Sequence, residues 1–304
     1  MPENRHDATG VEFELPIVKT GDRKRRVMRA MATSALFVST ALGLTRDNPQ
    51  PDVFVVNHEN SVPADGELRV ITANVHSWVS PEGYNNFRHF QRAIATKELG
   101  VACLQEVRDG PEVEELVAEY NGIFATTKID LTGRRFGNLL LSSHPLVLDR
   151  VASLPNPETD EPRNAIVADI QTTTGPLNVA CIHLSPLKIE ADVQSQYFES
   201  TLDDPVDIFF GDLNLEEPIV HFAGIGRSSR FGRLLSYTPV SSNVFTFPDS
   251  KTQQPHKQID WILTSCNNFS AVNDMQNTTT TTSFNSDHKL VEVRFSLDTC
   301  NPIR

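Results

Sequence analysis

The chain has 304 residues, 39% apolar and 22% charged, with 27 Lys plus Arg against 39 Asp plus Glu and a net charge of −12. That length is ample for a packed core in one large or two small domains, and four cysteines in a chain of ordinary globular composition exclude a disulfide scaffold. The acidic balance disfavours a long surface for polyanions, yet leaves room for an enzyme that reaches phosphate through a divalent cation.

Residues 1–22 are polar and aperiodic and read as disordered. Arg23-Lys24-Arg25-Arg26 then precedes a mostly apolar stretch from Val27 to Leu44, interrupted by Arg29. Basic residues followed by an apolar run with small residues near its end have the form of an export signal. The charge-free part, Ala30 to Leu44, is short for a spanning helix. A cleaved signal, an uncleaved anchor and a cytosolic segment all stay open, with export favoured: the protein is expected to be secreted or anchored on the extracytoplasmic side, cytoplasmic residence not being excluded. An anchored segment would place the domain close to a membrane. Residues 45–66 hold three prolines among polar residues and read as a linker.

The folded domain is expected over 67–304. Leu68 to Val75 alternates and is β-branched, a strand ending at Asn74. Asn85 to Leu99 carries Phe87, Phe90, Ala93 and Ile94 at helical spacing before the stop signal Gly100. Val101 to Gln105 is a buried strand ending at Glu106, and Pro111 opens a short acidic helix to about Tyr120. Strands follow at Asn138–Ser142, Ala165–Gln171, Leu177–Leu184 and Asp207–Phe210, with a helix over Ala191–Leu202. The last strands are Gln258–Thr264 and Leu290–Leu297, and Thr278–Thr282 reads as a polar loop. Many strands with few helices between them indicate α/β layers around mixed sheets rather than a strict βαβ repeat. Cys103 and Cys181 fall in apolar runs and read as small buried hydrophobes, while Cys266 and Cys300 flank the last two strands and could pair.

Polar residues at strand ends form a pattern. Asn74, Glu106 and His183 each close a strand, and Asp212 with Asn214 closes the run Asp207-Ile208-Phe209-Phe210. Asp260 opens the next strand and Asp287-His288 immediately precedes the last. Each polar group beside an apolar run would cost a few kcal/mol if buried without a partner, so one shared site is a simpler account than many separate ones. An Asx turn alone would explain Gly211-Asp212-Leu213-Asn214; it does not explain the set.

In order and spacing the motifs Thr72-Ala73-Asn74-Val75, Leu104-Gln105-Glu106-Val107, Gly137-Asn138-Leu139-Leu140-Leu141-Ser142, Ile182-His183-Leu184, Gly211-Asp212-Leu213-Asn214, Gln258-Ile259-Asp260-Trp261-Ile262 and Ser286-Asp287-His288 resemble the endonuclease/exonuclease/phosphatase superfamily. That superfamily includes pancreatic-type deoxyribonucleases, abasic-site endonucleases, bacterial sphingomyelinases and inositol-polyphosphate phosphatases. The resemblance spans roughly Glu67 to Leu297 and implies a four-layer α/β sandwich, two mixed sheets face to face with helices outside.

It also implies roles. Glu106 resembles the carboxylate that holds Mg²⁺ (Mn²⁺ or Ca²⁺ being alternatives), Asn74 the amide beside that metal and Asp287 a second carboxylate on its side. Hard cations take oxygen ligands, so one or two carboxylates suffice. Asp212 resembles the group that orients or deprotonates the attacking water, Asn214 a donor to the phosphate, and His288 with its partner Asp260 the phosphate-contacting pair. Either His288 or Asp212 could be the base. His183 resembles a second histidine near the phosphate or leaving group, or else a core histidine. Asn138 is expected to line the floor of the site and to bind phosphate with Arg163; Arg163, Arg134 and Arg135 are candidate phosphate contacts, or else solvated surface charge. The implied activity is Mg²⁺-dependent hydrolysis of a phosphodiester, the partner being nucleic acid or a small phosphodiester. An inositol- or lipid-phosphate phosphatase or sphingomyelinase-like enzyme is the alternative, and a non-catalytic module on the same fold a remoter one. No interface is marked, so a monomer is the default.

Overall fold

The computed structural model describes residues 51–95, 99–157, 161–202, 206–215, 238–239, 246–248, 255–265, 280–282 and 286–297. Residues 1–22 and 23–44, Cys266 and Cys300 lie outside them. Gln50–Arg304 is one compact unit.

The first strands and helices in chain order are β1 (Val53–Val56), β2 (Glu67–Asn74), α1 (Phe87–Ala95), β3 (Val101–Arg108) and α2 (Pro111–Glu119). Then come β4 (Asn121–Ile129), β5 (Arg135–Ser142), β6 (Leu146–Leu154), β7 (Arg163–Thr172) and β8 (Gly175–His183). The remainder is α3 (Lys188–Thr201), β9 (Ile208–Asp212), β10 (Thr238–Pro239), β11 (Phe247–Pro248), β12 (Pro255–Lys257), β13 (Asp260–Thr264), β14 (Thr280–Thr282) and β15 (Leu290–Ser296). One sheet has the order β1-β4-β5-β3-β2-β15-β14 and the other β10-β13-β9-β8-β7-β6, with β11 and β12 a separate hairpin. All pairs are antiparallel except β2–β3 and β8–β9.

Side-chain alternation sorts the core into three layers. Leu68 and Val70 of β2, Val101 and Cys103 of β3, Val179 and Cys181 of β8, and Ile208 and Phe210 of β9 pack between the sheets. The intervening Ile71, Ala73, Ala102 and Leu104 face out onto Phe87, Phe90, Ile94, Val113 and Leu116 of α1 and α2. On the other side Ala180, Ile182 and Phe209 face Ala191 and Phe198 of α3. Helices, sheet, sheet, helix: this is the four-layer sandwich.

Three readings change. Val53–Val56, inside the presumed linker, is an edge strand on β4, and Ala64 is fully buried in the inter-sheet core. Thr280–Thr282, read as loop, pairs with β15. Cys103 and Cys181 are not free: they form a disulfide, Cα atoms 5.2 Å apart, joining the two sheets through the core. Each lies on the inward row of its strand, which is why two residues 78 apart meet. Among the described residues no helix is long and apolar enough to cross a membrane.

Candidate active site

At one end of the sandwich every inward row turns from apolar to polar. On β2, Leu68 and Val70 give way to Thr72 and Asn74; on β8, Val179 and Cys181 to His183; on β9, Ile208 and Phe210 to Asp212. In the antiparallel strands the same end is the beginning. Asn138 precedes Leu140, Asn164 precedes Ile166, and Asp260 precedes Ile262. Strand period two thus delivers these side chains into one pocket between the sheets.

Asp212 is its centre. Its Oδ2 takes a hydrogen bond from Asn74 Nδ2 at 3.1 Å and lies 3.5 Å from His183 Nε2 and 3.8 Å from His288 Nε2. Its Oδ1 accepts the Asn214 backbone N–H at 3.0 Å, an Asx turn that fixes the carboxylate. Gly211 makes the placement feasible. It has φ +154°, and a Cβ there would sit 1.9 Å from the Ile182 carbonyl oxygen. That close approach sets Asp212 directly beside His183 in the parallel β8–β9 pair. Burial and the charge of Asp260 push the Asp212 carboxyl up to about 7, against the opposing pull of His288 and Asn74.

His288 Nδ1 is 2.9 Å from Asp260 Oδ2. Burial opposes charge on this imidazole, but the Asp260 and Asp212 carboxylates outweigh it and raise His288 to about 10. Phe247 packs edge-on against the ring at 5.0 Å between centroids. Ser286 Oγ donates to the Asn74 carbonyl at 2.9 Å, tying the Asp287-His288 loop to the end of β2.

His183 has the opposite environment. Burial and then the Arg163 guanidinium hold it well below the ordinary imidazole value, so it is neutral. Arg163 Nη1 lies 2.7 and 2.8 Å from the two ring nitrogens, a near-equal spacing that puts it over the ring face. Two histidines in one dry pocket therefore carry different charge, the usual way such sites divide their roles.

Glu106 reaches the pocket through a bulge. The β3–β5 register shifts between Leu104 and Val107, both of which face α1 and α2, and Glu106 has φ +55°. With regular alternation Glu106 would point at the helices; the extra residue turns it towards the site. Strand β3 therefore continues to Arg108 instead of ending at Glu106. Asn74 Nδ2 bridges Glu106 Oε1 (3.2 Å) and Asp212 Oδ2, while its Oδ1 accepts the His76 N–H. The amide thus presents its donor end to the carboxylates. His76 Nδ1 is 3.7 Å from Asp287 Oδ1, on a left-handed turn in which His76, Ser77 and Trp78 all have positive φ.

Two groups of these residues could take a cation. Asp212, Asp260 and His288 offer ligand atoms within 4.8 Å of one another, but there a hydrogen bond already joins Asp260 to His288. Glu106, hydrogen-bonded to the Asn74 amide, and Asp287, 3.7 Å from His76, are partly exposed carboxylates of the kind a hard divalent ion takes as ligands.

Asn138 and Asn214 lie in the pocket wall with their amides engaged. Asn138 Nδ2 donates to Asn164 Oδ1 at 2.8 Å, and Asn214 Nδ2 to the Leu184 carbonyl at 2.9 Å. Arg134 and Arg135 turn away to carboxylates, Arg134 towards Glu112 and Arg135 towards Asp109 and Asp52. Asn164, Gln105 and Phe247 were not singled out from sequence. The first two end inward rows and could have been found by parity; Phe247 belongs to a hairpin too short to carry a periodic signal.

A family model described as Endonuclease/Exonuclease/phosphatase family matches residues 71–270. No curated protein matches the chain at the sequence level. Among solved structures, an endonuclease/exonuclease/phosphatase from Beutenbergia cavernae is 21% identical with a TM-score of 0.60, over 76% of this chain and 72% of that one. A family protein from Leptotrichia buccalis (16%, TM-score 0.54) and D. rerio TDP2 complexed with single-strand DNA product (18%, 0.53) each align over 76% of this chain and all of theirs. These likenesses concern the fold. Because the family model spans well over half of the sequence, the chain belongs to the endonuclease/exonuclease/phosphatase family and has its phosphoesterase fold.

Proposed function

We propose that the protein hydrolyses a phosphodiester by in-line attack of water, with Asp212 as general base. The observation that carries this is the Asp212 carboxylate itself: 1% exposed, raised to about 7, and ringed by Asn74, His183 and His288. A base poised near neutrality combines the right protonation state with proton affinity. His288, kept cationic by Asp260, faces the same oxygen and stabilises the charge that develops on the phosphoryl oxygens. Neutral His183 orients the water or the leaving oxygen without competing for its proton. The buried Arg163–His183 wall excludes solvent on the other side.

Glu106 and Asp287 would hold Mg²⁺, with Asn74 at its side. When bound, the ion supplies charge neutralisation at the phosphate and at the departing oxygen. Nucleic acid or a small phosphodiester is the substrate class we favour; the single-strand DNA product bound by a structural neighbour is in keeping with the former. An inert module would be expected to lack Glu106, Asp212, Asp260 or His288, and all four are present. Export fits an interior disulfide, which persists in oxidising compartments; we keep a monomer, secreted or tethered near a membrane, as the working picture.

The test is hydrolysis by the full chain of plasmid DNA, RNA, sphingomyelin, inositol phosphates and bis-p-nitrophenyl phosphate, with Mg²⁺ and with chelator. Chelator-sensitive cleavage of a diester is the expected result. Cleavage of monoesters alone, or turnover indifferent to chelator, would overturn the proposal.

A further inference from the structure

Beside His183 the two sheets each send a cation to the same carboxylate. Lys128 lies near the end of β4 and Arg163 is the first residue of β7. Glu161 Oε1 is 2.9 Å from Lys128 Nζ, and Glu161 Oε2 is 2.9 Å from Arg163 Nη2. Two oxygens of one anion bridging two cations is the arrangement a phosphate group would adopt there. Among the described residues the charge is uneven as well: two cations meet one carboxylate, in a protein whose net charge is −12.

The inner cation is not saturated. Arg163 is 6% exposed, yet its Nε is buried without a hydrogen-bond partner, and its Nη1 contacts the ring of His183. The outer members are open: the side chains of Lys128 and Glu161 are 40% and 38% exposed. Lys128 Nζ also stands 4.7 Å from the Phe136 ring centroid, which steadies the ammonium while leaving its hydrogen-bonding directions free. The row Lys128–Glu161–Arg163–His183–Asp212 thus runs from solvent to the reacting centre, with an ion pair at its mouth that water screens and a ligand could replace.

We infer that Lys128 and Arg163 form a second anion subsite, for a phosphate group one linkage away from the scissile one, and that Glu161 fills it until that group displaces the carboxylate. The inference rests on the phosphodiesterase reading above and narrows it. The preferred substrate carries at least two phosphates, and the side on which the second lies decides which end of the scissile linkage faces His183.

The experiment compares thymidylyl-thymidine with its 5′-phosphorylated and 3′-phosphorylated forms, using the full chain. Calorimetric binding in EDTA gives affinities without turnover, and kcat/KM in Mg²⁺ gives the catalytic preference. One phosphorylated form is expected to bind about tenfold tighter than the unphosphorylated dinucleotide, the scale of a hydrogen-bonded charge pair. Lys128→Met should bring that ratio close to one, and Glu161→Gln should raise it by removing the internal competitor. A purely structural ion pair would make the glutamine variant bind no better. Equal affinities for all three ligands, or a preference that survives Lys128→Met, would overturn the subsite. Clear discrimination in binding without hydrolysis of any of the three in Mg²⁺ would instead overturn the phosphodiesterase reading and leave the subsite standing.

Discussion

The two sheets build their halves of the pocket from the same unit with different endings. Each contains one parallel pair joined through a helix, β2–α1–β3 in one and β8–α3–β9 in the other. The ladders even close alike: Val75 N–H donates to Gln105 and Leu184 N–H to Asp212, both at 3.0 Å. Side chains at the carboxyl ends of parallel strands are the natural place for a ligand. The β8–β9 pair stays regular, and its glycine allows a close approach that keeps Asp212 and His183 almost fully buried. The β2–β3 pair is regular as far as Asn74 and Gln105, but β3 then bulges against β5 at Glu106, and that carboxylate reaches solvent. The difference follows the chemistry. A group that moves a proton near pH 7 must be desolvated for its affinity to shift, whereas a cation that arrives hydrated needs oxygens that water can also reach.

Breaking the dry half should have the largest effect. Asp212→Ala is expected to lower kcat on bis-p-nitrophenyl phosphate by about a thousandfold or more, since it removes the base from a site where water has no other acceptor of matched strength. The fold should tolerate it, because burial raises this carboxyl to about 7, so at neutral pH its ionisation opposes folding rather than supporting it. Thermal melting beside the rate measurement checks both, and a loss of rate that merely tracks unfolding would remove Asp212 from the mechanism.

Breaking the wet half should cost less and be recoverable. Glu106→Gln keeps the shape and removes a charge, and roughly a hundredfold weaker affinity for Mg²⁺ is the scale expected for altered metal surroundings. Titrating Mg²⁺ should restore much of the rate in Glu106→Gln and none in Asp212→Ala. Rescue of both, or of neither, would erase the distinction between the halves.

Asp260 provides a gentler probe, because it raises both Asp212 and His288. Asp212 must lose its proton to act and is raised to about 7, so kcat/KM should climb with pH until about 7. His288 must keep its proton and is raised to about 10, so activity should fall only above about 10. Asp260→Asn takes away a shared cause, and both limbs of the profile should move to lower pH. Movement of one limb alone would show that the two groups do not answer to the same carboxylate.

Much of this was legible because strand parity is simple. Asn74, His183, Asp212 and Asp260 stand where a period-two pattern changes from apolar to polar, and the sheets carry that change into three dimensions. Glu106 was legible as a residue but not as a geometry: only the three-residue step from Leu104 to Val107 betrays the bulge. Val53–Val56 was hidden by its flanking prolines and asparagine, since a short edge strand needs little of its own sequence when β4 supplies the ladder. Arg163 was expected to touch phosphate directly. Its contacts with His183 and Glu161 depend on a side chain folding across the end of β7, which no periodicity encodes.

The disulfide was the clearest miss, and it offers the smallest and most informative perturbation. Cys103 lies two residues before Gln105, and Cys181 two before His183, so the bond ties the two halves together one step below the pocket. Gln105 Nε2 approaches Cys103 Sγ at 2.8 Å, linking the floor of the site to the bond. Closing a loop of 78 residues contributes about 4 kcal/mol in the chain-entropy account. The Cys103→Ala/Cys181→Ala double variant should therefore melt on the order of ten degrees lower. Its turnover at low temperature should change least of all the variants, because sheet packing and the Asn138–Asn164 hydrogen bond between the sheets already hold the halves in register. A fall in kcat as deep as that of Glu106→Gln would mean that packing alone does not fix the distance between the cation half and the proton half. The bond would then be part of the active site's geometry and not only of its stability.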